Sequence, residues 1–192
     1  MFTKTLSCYL YLIYNDHLGN LPLCWGRDLT DHVKGKQMHS LRFQSVFDII
    51  GPVMIGPSSS HTAGAARLGK MARCIFGNTP KKVEMTLYGS FAKTYKGHGT
   101  DRALLGGLLG FKEDDKRIRN AKELADEAGL DYTFIESPLD IGHPNVVKFD
   151  LYGDHNRHMS VVGRSIGGGQ IMITEVDGND MSITGDEFTL VV

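Results

Sequence analysis

Cysteine is scarce in this sequence. Only Cys8, Cys24 and Cys74 occur, far apart and with no CxxC pair. That spacing argues against zinc or an iron–sulfur cluster held by this chain alone. The odd number suits a reducing cytoplasm better than a disulfide-stapled secreted fold. Net charge is also nearly absent, at −1. The chain therefore lacks the footprint of a nucleic-acid binder or of a protein held to an anionic membrane. Long apolar runs are missing too. Tyr9 to Tyr14 is too short to span a bilayer, and no small-residue cleavage site follows it before Asn15-Asp16-His17. The rest is an ordinary globular balance, 41% hydrophobic and 22% charged, with enough apolar residues for a core. A length of 192 residues suits one domain with a fragment of a second.

The first 44 residues look unlike the remainder. They read as a strand-like or disordered extension, or as residues upstream of a natural start at Met38, and the second reading is favoured. His17, Trp25, His32 and His39 receive no functional weight. Regular patterning begins at Ser45, and Val46-Phe47-Asp48-Ile49-Ile50 reads as a short turn of helix or a strand.

What is plentiful is hydroxyl chemistry in one place. Gly56-Pro57-Ser58-Ser59-Ser60-His61-Thr62-Ala63-Gly64 puts three serines, a histidine and a threonine in succession. Behind it Leu68, Ala72, Ile75 and Phe76 recur at helical spacing until Gly77 stops the pattern. Pro57 keeps Gly56 out of the helical region. The serines thus sit where a helix begins, among unpaired amide N–H groups that favour anions. One serine would be an ordinary N-cap. Three with a histidine read as a carboxylate cradle beside a base.

Downstream, Lys82 to Tyr88 alternates polar and apolar, which predicts a half-buried strand. A glycine-marked loop is expected over Lys96-Gly97-His98-Gly99-Thr100-Asp101, then a helix from Arg102 to Leu109 capped by Thr100 or Asp101. Residues 115–128 read as an amphipathic helix of purely structural role, with Ile118, Ala121, Leu124, Ala125 and Ala128 inward and Gly129 as its stop. Strands are expected over Tyr132–Ile135, Val146–Tyr152, His158–Arg164 and Gln170–Val176. Asp154 to Arg157 reads as a hairpin turn. Gly167-Gly168-Gly169 lacks the strand–loop–helix setting of a nucleotide site and reads as a tight turn or a close approach to a ligand or partner. A further strand is expected from Ser182 on. Helices gather before residue 130 and strands after it, so the fold class is α+β: a mixed or antiparallel sheet with two or three helices packed on it.

His61 is the first candidate for chemistry. A helix start disfavours imidazolium and keeps the ring able to accept a proton. His98 is the second, because flanking glycines allow close approach and Asp101 could orient it. His143, in Gly142-His143-Pro144-Asn145, is a weaker third, and His155 reads as a turn residue. No two of these histidines share metal-ligand spacing. A Ser–His protease reading fails as well, since triads are assembled from distant segments.

The stretches from Phe47 to Pro52, Gly56 to Gly64, Gly97 to Asp101 and Ser165-Ile166-Gly167-Gly168-Gly169 together resemble the beta chain of the iron–sulfur-dependent L-serine dehydratases. The resemblance runs from about Ser45 to the C-terminus. It implies an L-serine ammonia-lyase, with an alpha chain that carries a four-iron four-sulfur cluster. One iron would act as Lewis acid on the serine hydroxyl, a base would remove the α-proton, and aminoacrylate would hydrolyse to pyruvate and ammonia. It places the functional histidines on His61 and His98, and the expected substrate contacts are Ser58, Ser59, Ser60, Thr62, Thr100 and Asp101. Which histidine is base and which acid stays open. The beta portion looks like the allosteric-substrate-binding domain of some phosphoglycerate dehydrogenases. The expected division is an extension over 1–44, this domain over 45–180, and over 181–192 the start of an ACT-like domain. Expected partners are the alpha chain and L-serine, with a homodimer of this domain as a further expectation, and neither nucleic acid nor membrane. The competing reading is a module that senses serine or another small carboxylate without catalysis.

Overall fold

A computed structural model describes residues 11–13, 53–185 and 189–191. The expected element over Val46–Ile50 and the histidines before His61 lie outside the described residues.

A helix, α1 (Gly64–Phe76), follows a π-helical turn over Ser59–Ala63. Its predicted stripe of Leu68, Ala72, Ile75 and Phe76 is buried, and Gly77 closes it at φ 82°, a left-handed conformation glycine adopts without strain. Beyond β1 (Tyr11–Ile13), the strands are β2 (Lys82–Gly89), β3 (Asp131–Glu136), β4 (Asn145–Tyr152), β5 (His158–Gly167), β6 (Gln170–Val176), β7 (Asn179–Ile183) and β8 (Thr189–Val191). Six make one sheet in the order β3-β2-β4-β5-β6-β7. Only β2 and β3 run parallel, because three helices lie between them; the other neighbours are antiparallel. β1 pairs separately with β8.

Alternation decides which side of the sheet is covered. Val83, Met85, Leu87, Val147, Phe149, Leu151, Val161 and Ile173 form one core with the apolar faces of the helices. The intervening positions carry the ion pairs Lys82–Glu84 and Lys148–Asp150. The mixed α+β sheet thus agrees with the sequence, with four α-helices among the described residues instead of two or three.

The additional helix is α2 (Ser90–His98). Residues 96–98 of the expected glycine loop are its last turn. Phe91, Ala92 and Tyr95 bury its inner side, and that burial outweighs the cost of Gly97, about 1 kcal/mol relative to alanine. The next helix, α3 (Thr100–Leu108), starts two residues earlier than expected. Gly99 at φ 72° is its N-cap, and no side chain caps it, so Thr100 and Asp101 lie within the helix. Residues 116–120 form a 3₁₀ turn before α4 (Ala121–Glu127), and Ala128 is exposed rather than inward. Ile183, at the end of β7, registers opposite Ile173 of β6. Among the described residues no helix is long and apolar enough to cross a membrane.

α1 and α3 cross with almost no side chain between them. A Cβ on Gly107 would stand 2.1 Å from the Ala66 carbonyl oxygen, and one on Gly69 would stand 2.3 Å from that of Leu104. This contact brings the start of α3, and with it His98, close to the serine-rich turn before α1.

Candidate active site

The turn begins with Ser58 in extended conformation, φ −138° and ψ 126°. Its hydroxyl accepts the His61 amide at 3.2 Å, an ordinary N-cap bond. Its carbonyl accepts the Thr62 amide at 2.9 Å and also the Thr62 hydroxyl. Thr62 is 3% exposed and its methyl packs against the Gly56 backbone, so it shapes the turn from inside. Ser59 and Ser60 are half-buried on the first turn.

His61 projects from this turn between two hydroxyls. Ser58 Oγ lies 3.4 Å from Nδ1, and Ser90 Oγ, from the first residue of α2, lies 3.0 Å from Nε2. Phe91 meets the ring edge-on at 5.2 Å between centroids. The His98 ring, at the end of α2, lies 4.9 Å from the His61 ring. His98 Nδ1 is buried without a hydrogen-bond partner, as is the Thr100 hydroxyl. Burial, and then the neighbouring His98, hold the His61 pKa below the ordinary imidazole value. The lowered pKa favours the neutral form of the His61 ring near pH 7.

The predicted residues are thus not all equivalent. Ser58, His61 and His98 are brought together. Asp101 is 3% exposed; its Oδ2 lies 2.5 Å from Lys122 Nζ and its Oδ1 accepts the Arg102 amide. Its carboxylate joins α3 to α4 and makes no hydrogen bond to His98. His143 accepts the Asn145 amide at 3.2 Å, and burial, then Arg164, lower its pKa. The loop that carries it contributes through its backbone, because the Pro144 carbonyl accepts the Ser90 and Phe91 amides at the start of α2. The glycine turn after β5 is fastened by Arg67 of α1, whose Nη1 donates to the Gly169 carbonyl at 3.0 Å while Nε and Nη2 hold Glu113.

Ser90 and Pro144 escaped the sequence reading. A capping carbonyl leaves no side-chain signature, and Ser90 is marked only by following Gly89. That glycine adopts φ 60°, where a Cβ would stand 2.6 Å from the Pro144 carbonyl oxygen, so the strand can turn sharply into α2 and Ser90 meets His61.

Residues 45–133 match the family described as serine dehydratase beta chain. The "Probable L-serine dehydratase, beta chain" of Bacillus subtilis (strain 168) is 49% identical over 153 residues, 79% of this chain and 69% of that protein. The "L-serine dehydratase, beta chain" of Peptoniphilus asaccharolyticus is 47% identical over 149 residues, 77% of this chain and 67% of that one. The "L-serine dehydratase" of Mycobacterium bovis is 32% identical over 158 residues, which cover 70% of this chain and 34% of that protein. The histidine pair, the serine turn and these likenesses converge: the chain belongs to the family of L-serine dehydratase beta chains.

Proposed function

We propose that this chain is the beta component of an L-serine ammonia-lyase that forms pyruvate and ammonia from L-serine together with an alpha chain. The observation that supports this most is the approach of His61 and His98 to 4.9 Å between ring centroids, where a serine-rich helix begins. Elimination of water from serine requires loss of the α-proton. An imidazole of this pair, when neutral, is suited to take it near pH 7. The substrate carboxylate lies on Ser58, Ser59 and Ser60, where hydroxyls and the first amides of the turn supply donors. Thr62 and Asp101 hold the turn and α3 in place, and the unpartnered Thr100 hydroxyl stands next to the glycine that follows His98.

The resemblance implies a four-iron four-sulfur cluster. Among the described residues no three His, Cys, Asp or Glu side chains gather in a way that could hold a metal. The cysteine among them, Cys74, stands exposed on α1. We assign the cluster to the alpha chain, and the complex to the cytoplasm on cysteine usage.

The test is anaerobic assembly of H61A and H98A chains with the alpha chain. Loss of a general base lowers the rate roughly 10²–10⁴-fold. Full pyruvate formation by both variants would sink the assignment. Calorimetry separates catalysis from sensing: serine should bind the assembled complex, whereas tight binding to the chain alone would favour a sensor.

A further inference from the structure

We propose that Ser90 is a positioning residue for His61: its hydroxyl donates to Nε2 and so holds the ring as the Nδ1–H tautomer. This rests on the reading of the serine turn as a carboxylate cradle.

The argument is an inventory of protons. A neutral imidazole has one N–H donor and one acceptor nitrogen. His61 stands between Ser58 Oγ at Nδ1 and Ser90 Oγ at Nε2. The chain of hydrogen bonds can therefore run in only two directions. Ser58 Oγ already accepts the His61 amide. If it also accepts Nδ1–H, both of its lone pairs are used and its own proton is free to point outward to an anion. In the other direction that proton is spent on Nδ1, and the cradle loses a donor. An anion-binding turn needs the first arrangement, and the first arrangement needs Ser90 as donor.

Ser90 is well placed for this. Its amide donates to the Pro144 carbonyl at 2.5 Å, and its carbonyl accepts the Thr94 hydroxyl at 2.8 Å. The next residue, Phe91, packs against the same imidazole. The backbone thus sets the hydroxyl position. With both nitrogens of His61 engaged, the ring with an unpartnered nitrogen is His98. Ser90 itself acts on substrate only through His61 and Ser58.

Nitrogen-15 NMR of histidine in the full chain reads the tautomer directly. The wild type should show the Nδ1–H pattern for His61. S90A should lose it and move toward the Nε2–H pattern of free imidazole, while S90T, which keeps the hydroxyl, should retain it. In the complex with the alpha chain, S90A should raise KM roughly 10- to 150-fold with kcat changed less, as expected for one lost hydrogen bond to a charged group. An Nε2–H ring in the wild type, identical spectra for wild type and S90A, or a fall in kcat at unchanged KM would each overturn the proposal. Failure of the broader reading looks different: wild-type chain assembled with the alpha chain forms no pyruvate, whatever the tautomer.

Discussion

Adding one methyl group at Gly107 should loosen the whole molecule. The methyl would sit 2.1 Å from the Ala66 carbonyl oxygen and 2.7 Å from the Lys70 nitrogen. An ordinary C···O contact is longer than ~3.2 Å, so α1 and α3 must part by about 1 Å. Both obstacles are backbone, and no rotamer change can relieve them. Overpacking of this kind costs about 3 kcal/mol, at the upper end of its usual range. Alanine returns about 1 kcal/mol of helix propensity. The net loss is about 2 kcal/mol, or a fall of about 4–8 °C in Tm for a chain of this size. G97A is the internal control. A Cβ at Gly97 meets nothing within 4 Å, so this helical glycine should yield a gain of about 0.5–1 kcal/mol on replacement. Thermal unfolding of the full chain followed by circular dichroism should give the order G97A, wild type, G107A. A G107A chain that melts with or above the wild type would refute the view that this crossing is a backbone contact. Because α1 follows the His61 turn and α3 follows His98, G107A assembled with the alpha chain should also lose activity.

Three further perturbations test the electrostatics. His61 and His143 both titrate below the ordinary value of 6.5, so the unfolded chain binds protons that the native chain refuses. Their stabilising effect is whole above that pH and is lost as pH falls through the lowered native values; the urea midpoint should be lower at about pH 5.5 than at about pH 7.5, and an H61Q/H143Q double variant should narrow the gap. K122A should cost more than D101A at neutral pH, about 3 against about 1–2 kcal/mol, because it strands a buried carboxylate whereas Lys122, 39% exposed, can turn to water. Denaturant titrations showing the reverse order would contradict that account. Burial opposes ionisation of Glu113, yet the Arg67 hydrogen bond and charge hold its carboxyl below the usual carboxylate range. R67A should therefore cost about 1–3 kcal/mol by urea unfolding, with the difference from wild type fading in acid as Glu113 takes up a proton.

Much of the fold could be read from periodicity. The alternation over Lys82–Tyr88 and the stripe Leu68-Ala72-Ile75-Phe76 each matched a buried face, because one-sided burial imposes those spacings. The error at α2 came from giving Gly97 and Gly99 too much weight as breakers. A short helix bearing Phe91 and Tyr95 tolerates a glycine one residue from its end, since packing contributes more than propensity costs. The single parallel pairing, β2 with β3, was not legible: it depends on three intervening helices folding back, which no local pattern records. Within the site, the histidines were visible as chemistry set among glycines and hydroxyls. Their approach, the Ser90 contact and the Pro144 cap were not, because each is made across the chain.

Both imidazoles and the hydroxyls around His61 come from segments of this one polypeptide. The acid–base half of the proposed enzyme can therefore be made, purified and titrated in air. Should oxygen silence the complex by attacking the cluster-bearing chain, fresh alpha chain added to the old beta chain ought to restore turnover.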